Sequence, residues 1–157
     1  MARSYVAPLE ASIHIDAPPA AVWAVLHDQR RMADFSEETY KQGFIGTPVR
    51  EGTVSINLNK RKAAFWPTIS RYTEVVPERR LAFRVIGPSA TWSYDLEPAA
   101  DGGTTVTERR RLTNDRAALA SIVTARLLLG GVTNHDVELV QGMHDTLARL
   151  KAEVERG

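Results

Sequence analysis

Glu108 stands in "ATWSYDLEPAADGGTTVTERRRL", residues 90–112, whose first half alternates without a break. Ala90, Trp92, Tyr94 and Leu96 share one parity, and Thr91, Ser93, Asp95 and Glu97 the other. A second run returns after Gly102-Gly103, and there Val106 and Leu112 mark one face that also carries Glu108 and Arg110. A carboxyl held beside large aromatics has its pKa set by a dry environment, which equips it for proton transfer. With a symmetric turn, Tyr94 pairs with Val106 and Trp92 with Glu108. Buried carboxylates are avoided unless paired, but a sheet that lines a cavity tolerates one, because water or a ligand satisfies it. Two plainer arrangements stay open: an i,i+2 pair of Glu108 with Arg110, or a β-bulge near Thr107 that turns Glu108 to solvent.

Other reactive groups point elsewhere. The chain has no cysteine, which excludes disulfides and thiolate metal sites. His14 falls on the polar parity of its strand, and His27 ends a helix, where its charge suits the dipole. His135 and His144 lie nine apart, not at the i,i+4 spacing of a zinc pair. "NHD" at 134–136 reads as a helix start with Asn134 as N-cap. No metal and no cofactor is expected, and no GxSxG, Walker or dinucleotide glycine pattern occurs. "KRK" at 60–62 and "RRR" at 109–111 are split across two faces by strand alternation, so they read as solvated edges, not a nucleic-acid patch.

The elements that must position these residues follow from pattern. The length, 157 residues, fits one domain spanning 1–157. A net charge of +1 supplies no general attraction to nucleic acid or to an anionic membrane. The N-terminus lacks the apolar run of a signal peptide, and no stretch approaches the ~20 apolar residues of a membrane span. A cytoplasmic protein without stable membrane insertion is expected. Leu9, Ala11, Ile13 and Ile15 alternate as a half-buried strand. Pro18-Pro19 opens a helix carrying Val22, Trp23 and Leu26, and "QRRMADF" forms a second, short one. Strands follow from Tyr40 to Thr113, among them "TVSINLN" with alternating Val54, Ile56 and Leu58. In the last segment Val137, Val140, Met143, Leu147, Leu150 and Val154 form one helical stripe. The order is α+β, and the simplest solution curls an antiparallel sheet around the long C-terminal helix.

That order, with "IDAPPAAVW", Asn59, Trp66, "VVPERRLAFRV", the 92–108 hairpin and Gly142, Met143, Thr146, Leu147, Leu150 and Lys151, resembles the START-like superfamily (SRPBCC; polyketide cyclase/dehydrase and lipid-transport family). The resemblance spans the chain apart from 115–133. It implies a helix-grip fold with a cavity between sheet and helix, and a hydrophobic small-molecule partner such as a lipid, polyketide or isoprenoid, held by a monomer or homodimer. The ligand-binding residues it implies are Asn59, Trp66, Thr68, Trp92, Tyr94, Glu108 and Met143. If the protein is an enzyme, Glu108 is its proton carrier in a cyclisation or dehydration. The alternative is a protein-interaction or quinone-delivery module without catalysis. Residues 115–133, with Leu119, Ile122, Val123 and Leu127, read as a helix hinged at Gly130-Gly131, either a lid or a fixed or dimer-forming element.

Overall fold

The computed structural model describes residues 8–36, 39–86, 90–112 and 132–157, with side chains from 137 onward in the last segment. The expected 115–133 helix and its Gly130-Gly131 hinge lie outside the described residues. Strand β1 (Leu9–Ile15) is followed by α1 (Pro19–Leu26) and α2 (Gln29–Phe35). Strands β2 (Thr39–Ile45), β3 (Val54–Arg61), β4 (Ala64–Val76), β5 (Arg80–Ile86), β6 (Ala90–Pro98) and β7 (Thr104–Leu112) come next, and α3 (Val132–Glu155) ends the chain. The strands form one antiparallel seven-stranded sheet in the order β1-β7-β6-β5-β4-β3-β2. It curls around α3, the helix-grip architecture expected from the strand and helix order.

The first helix starts where the prolines demand. Pro18 is extended and Pro19 occupies the first turn, whose N–H groups have no intrahelical acceptor in any case. Val22, Val25 and Leu26 are buried, while Trp23 is partly exposed and stacks on His27 at 5.4 Å. The core joins these residues to Ile15, Leu81, Leu96 and Val106 from the sheet and to Met143, Leu147, Leu150 and Val154 from α3.

Helix α3 departs from expectation at its start. It begins at Val132, so Asn134 lies inside the first turn and is not the cap. The stripe is fully buried only from Met143 onward, where β1, α1 and α2 receive it, and Val137 is 66% exposed. Lys151 Nζ donates to the His14 carbonyl at 2.9 Å, and Glu155 accepts the Asp16 N–H at 2.9 Å, which fastens the far end of α3 to β1. Near its other end Glu138 pairs with Arg61 at the tip of the β3–β4 hairpin. The helix is thus held across the sheet from β1 to β3.

Strand β3 turns its apolar parity outward. Ser55, Asn57 and Asn59 are buried on the concave face, while Ile56 is 50% exposed on the convex one. Two bulges, at Thr39/Lys41 and Tyr72/Glu74, sit in β2 and β4, where bulges sharpen local twist and bend the strand. The basic runs divide between faces as alternation requires: Arg109 pairs with Glu10 and Asp95 on the convex side, and Arg61 reaches α3 on the concave side.

Candidate functional site

Two cross-strand rows run side by side over the concave face. One is Leu81, Tyr94, Glu108 and Ala11, from β5 to β1; the next is Phe83, Trp92, Arg110 and Leu9. The hairpin register therefore differs from the symmetric-turn expectation by two residues: Tyr94 faces Glu108 instead of Val106, and Trp92 faces Arg110 instead of Glu108. The cause is the connection. Ladder pairing stops at Pro98 opposite Thr104; Gly102 takes φ +85°, Ala99 N–H donates to the Gly103 carbonyl at 2.8 Å, and Asp101 accepts the Gly103 N–H at 2.9 Å. A two-residue slide keeps every side chain on its face, but it brings a phenol onto a carboxyl.

The Tyr94 hydroxyl donates to Glu108 Oε1 at 3.0 Å. Glu108 is 3% exposed, and its second oxygen, Oε2, is buried without a hydrogen-bond partner. Burial pushes this carboxyl up from 4.5 to about 8, and the Tyr94 hydrogen bond offsets part of that rise. Burial, with the neighbouring Glu108, also raises the Tyr94 phenol well above its ordinary value. Burial therefore favours the protonated, neutral form of Glu108, with Tyr94 as its donor. Of the open arrangements for Glu108, the bulge fails because pairing on both sides of β7 runs unbroken through Thr107. The ion pair with Arg110 fails on the side of the carboxyl, whose Oε1 is taken by Tyr94, whose Oε2 is unpartnered and whose titration burial dominates.

A polar wall lies across the same concave face, on β3 and β4. Asn59 Nδ2 donates to Thr68 Oγ1 at 2.9 Å and to the Trp66 carbonyl at 3.3 Å. Asn57 Nδ2 donates to Ser70 Oγ at 3.3 Å, and its Oδ1 is buried without a partner. Beyond Asn59 on the same parity, Arg61 pairs through one nitrogen with Glu138 while its Nη1 is buried and unpartnered. Unmade hydrogen bonds of this kind are costly in a dry interior, and here they share one face with Glu108. Below them, the Tyr72 hydroxyl donates to Gln29 Oε1 at 2.8 Å and Gln29 Nε2 to the Leu26 carbonyl at 2.6 Å, which ties α2 to β4. Burial raises the Tyr72 phenol beyond the ordinary range.

The sequence-predicted residues divide by depth. Tyr94, Glu108, Asn59 and Met143 are buried, whereas Trp66, Thr68 and Trp92 are half-buried. Phe83, Trp92 and Arg110, in the row beside Tyr94 and Glu108, are likewise partly exposed. Sequence reasoning missed Asn57, Ser70 and Arg61. For Asn57 and Arg61 the signal was the second parity of "TVSINLNKR", polar at every step, on which Asn59 also lies. Among the described residues no group of three or more His, Asp or Glu is placed to hold a metal ion, and no helix is long and apolar enough to cross a membrane. His14 bonds Asp101, and His27 Nε2 donates to the Val49 carbonyl at 2.7 Å.

Residues 7–155 match the family model described as polyketide cyclase/dehydrase and lipid transport. The chain belongs to this family. Solved structures of the same architecture include the KanY protein, at 16% identity and a TM-score of 0.70 over 98% of this chain and 99% of that one. TTHA0849 from Thermus thermophilus has 16% identity and a TM-score of 0.69, with 96% and 98% covered. The di-domain aromatase/cyclase StfQ of the steffimycin biosynthetic pathway has 13% identity and a TM-score of 0.71, over 97% of this chain and 51% of that one. At these identities the likeness establishes a fold common to the polyketide cyclase/dehydrase family and no more. None of the curated proteins matches this sequence.

Proposed function

We propose that this chain binds a hydrophobic or aromatic small molecule between the concave face of its sheet and α3, with Glu108 as a neutral acid that donates to an oxygen of that molecule. The observation that carries the reading is the carboxyl itself: one oxygen is held by Tyr94, while the other is buried and unpartnered in a wall that also leaves Asn57 Oδ1 unmet. A few convergent polar groups in an apolar and aromatic surround are the usual make-up of a small-molecule site. Phe83 and Trp92 supply the aromatic surface, and Met143 an adaptable one. The match to a polyketide cyclase/dehydrase and lipid-transport family supports the ligand class.

The same geometry suits a dehydration. Glu108 in its acid form gives its proton to a departing hydroxyl, which leaves as water; the resulting carboxylate takes the proton from the adjacent carbon as the double bond forms. One residue then serves as acid and base in turn, and its raised pKa of about 8 places both forms within reach near neutrality.

An environment-sensitive apolar dye tests the binding reading. The folded chain takes it up with one-to-one saturation. Trp92→Ala weakens uptake, and Glu108→Gln alters preference among oxygenated competitors while the fold survives. A folded wild type that takes up no dye, and carries no small molecule by native mass spectrometry, sinks the proposal.

A further inference from the structure

The convex face of β2–β5, across the sheet from Glu108, has an organisation of its own. Gly43, Ile56, Ile69 and Ile86 stand directly opposite one another across four strands. The three isoleucines of this row are 50%, 44% and 55% exposed, and Ile45 and Phe65 beside them 64% and 54%. Scattered exposed apolar residues are ordinary, but a contiguous stripe of them marks an interaction surface.

Cations border the stripe on both sides. At one end Lys60 Nζ lies 5.4 Å from the centroid of the Phe65 ring and 5.9 Å from that of Tyr40, while Lys41 Nζ lies 5.8 Å from the Tyr40 centroid. At the other end Arg71 and Arg84 are direct cross-strand partners beside an open depression of about 780 Å³, with Ile86 and Thr73 in its lining. Like charges directly opposite destabilise a sheet, and although Glu51 borders the same depression, none of Lys41, Lys60, Arg71 and Arg84 forms an ion pair among the described residues. Strands β2, β3 and β5 contain no Asp or Glu at all, and the one acid of β4, Glu74, is bound by Arg80.

We propose that this convex face docks peripherally on an anionic lipid bilayer, its isoleucines and Phe65 entering the interface while Lys41, Lys60, Arg71 and Arg84 meet lipid headgroups. Charge complementarity selects the partner. A second copy of this chain would set the same cations against themselves with no acid on β2, β3 or β5 to receive them. The surface is a convex sheet face with protruding apolar tips and a border of cations, and a bilayer answers both features at once. It offers an apolar layer for the tips and a sheet of negative charge at the height reached by Lys and Arg stems. Tyr40 at the border suits the headgroup level, where Tyr and Trp rings concentrate.

Sedimentation of the full chain with extruded vesicles tests this. Vesicles of phosphatidylcholine with phosphatidylserine should carry the protein down at low salt, and vesicles of phosphatidylcholine alone should carry little. High salt should reverse the difference. Lys60→Gln and Arg84→Gln each remove one surface cation and should lower partition about fivefold. Ile69→Asp should lower it at least as far. These side chains are exposed, so thermal midpoints no lower than that of the wild type will show that the variants fold. Wild type that stays in the supernatant with phosphatidylserine vesicles overturns the proposal. So does partition that Ile69→Asp and Arg84→Gln leave unchanged. Retention on an immobilised acidic polypeptide without vesicle binding overturns it in favour of a protein partner, and a concentration-dependent dimer closed by this face overturns it in favour of self-association. The dye uptake proposed above depends on the opposite face, so either reading can fail alone.

Discussion

Replacing Glu108 with Gln keeps the shape of the side chain and removes its titration. In the folded protein the carboxyl titrates at about 8, against 4.5 when free. Between those values the folded state holds a proton that the unfolded chain has lost. Stability from this group is therefore complete below about pH 4.5, falls as pH rises through the window, and levels off above about 8. At about 1.36 kcal/mol per pH unit the difference comes to about 5 kcal/mol, and water reaching the carboxylate would relax it, so about 3–5 kcal/mol is expected. Glu108→Gln cannot lose this, and all other groups cancel in the comparison. Urea unfolding of both proteins at half-unit steps from about pH 5 to 9 should show them nearly equal at the acid end. The variant should become progressively more stable toward the alkaline end. A gap that stays flat across the range would refute the neutral-acid assignment. A gap of opposite sign, with wild type gaining as pH rises, would mean that Glu108 is an ionised partner, and Arg110 on the same face would be the cation to test.

Tyr94→Phe removes the donor to Glu108 Oε1 and should cost about 1–3 kcal/mol in chemical denaturation, while moving the Glu108 titration to still higher pH because the bond that lowers it is gone. Tyr72→Phe leaves Gln29 Oε1 without its donor between α2 and β4 and should cost about 1–3 kcal/mol, read as a lower urea midpoint at unchanged slope. At Gly103 an added Cβ would lie 2.7 Å from the Ile15 carbonyl and 2.6 Å from His14 Nε2; Gly103→Ala should destabilise by about 1–3 kcal/mol, and recovery in a His14→Ala background would be only partial because the backbone contact remains. Leu147→Ala, in the fully buried part of α3, should cost about 2–5 kcal/mol by the same assay.

Much of the scaffold was legible because local and tertiary demands agree. Pro18-Pro19 opens α1, the alternation of Leu9–Ile15 marks β1, and the spacing from Met143 to Val154 marks the buried face of α3. Glu108 stood out because an acid on an apolar parity is anomalous in a covered sheet. Its partner did not, because the register depends on how the 99–103 connection closes, and Gly102 and Asp101 set that through backbone geometry that composition does not specify. On β3 only Asn59 was picked out for the concave face, and Ser55 and Asn57 on the same parity were not. Hydrophobic parity marks a core only where the interior is apolar; here the interior side holds Ser55, Asn57 and Asn59, and Val54, Ile56 and Leu58 follow the convex face. Val137 continues the periodicity of α3 past the point where β1, α1 and α2 cover it, and periodicity alone does not reveal where a helix outruns its support.

The pairing of β1 with β7 has a kinetic side. Ser12 and Thr107 are hydrogen-bonded neighbours in space but 95 residues apart in the chain. On a ribosome adding about 5–20 residues per second, β1 emerges first and waits about 5–20 s for β7, its strand partner among the described residues. The β2–β7 meander closes through local hairpins, so it forms ahead of that contact, whereas the β1–β7 ladder must close a long loop before it stabilises anything. Throughout that interval Leu9, Ile13 and Ile15 have no sheet to pack into, and the exposed edge of β7 is open to any extended segment. The oldest strand therefore joins the sheet late, and the sequence around residues 9–15 is where a slow ribosome, a chaperone or a stray second chain has a long opportunity to intervene.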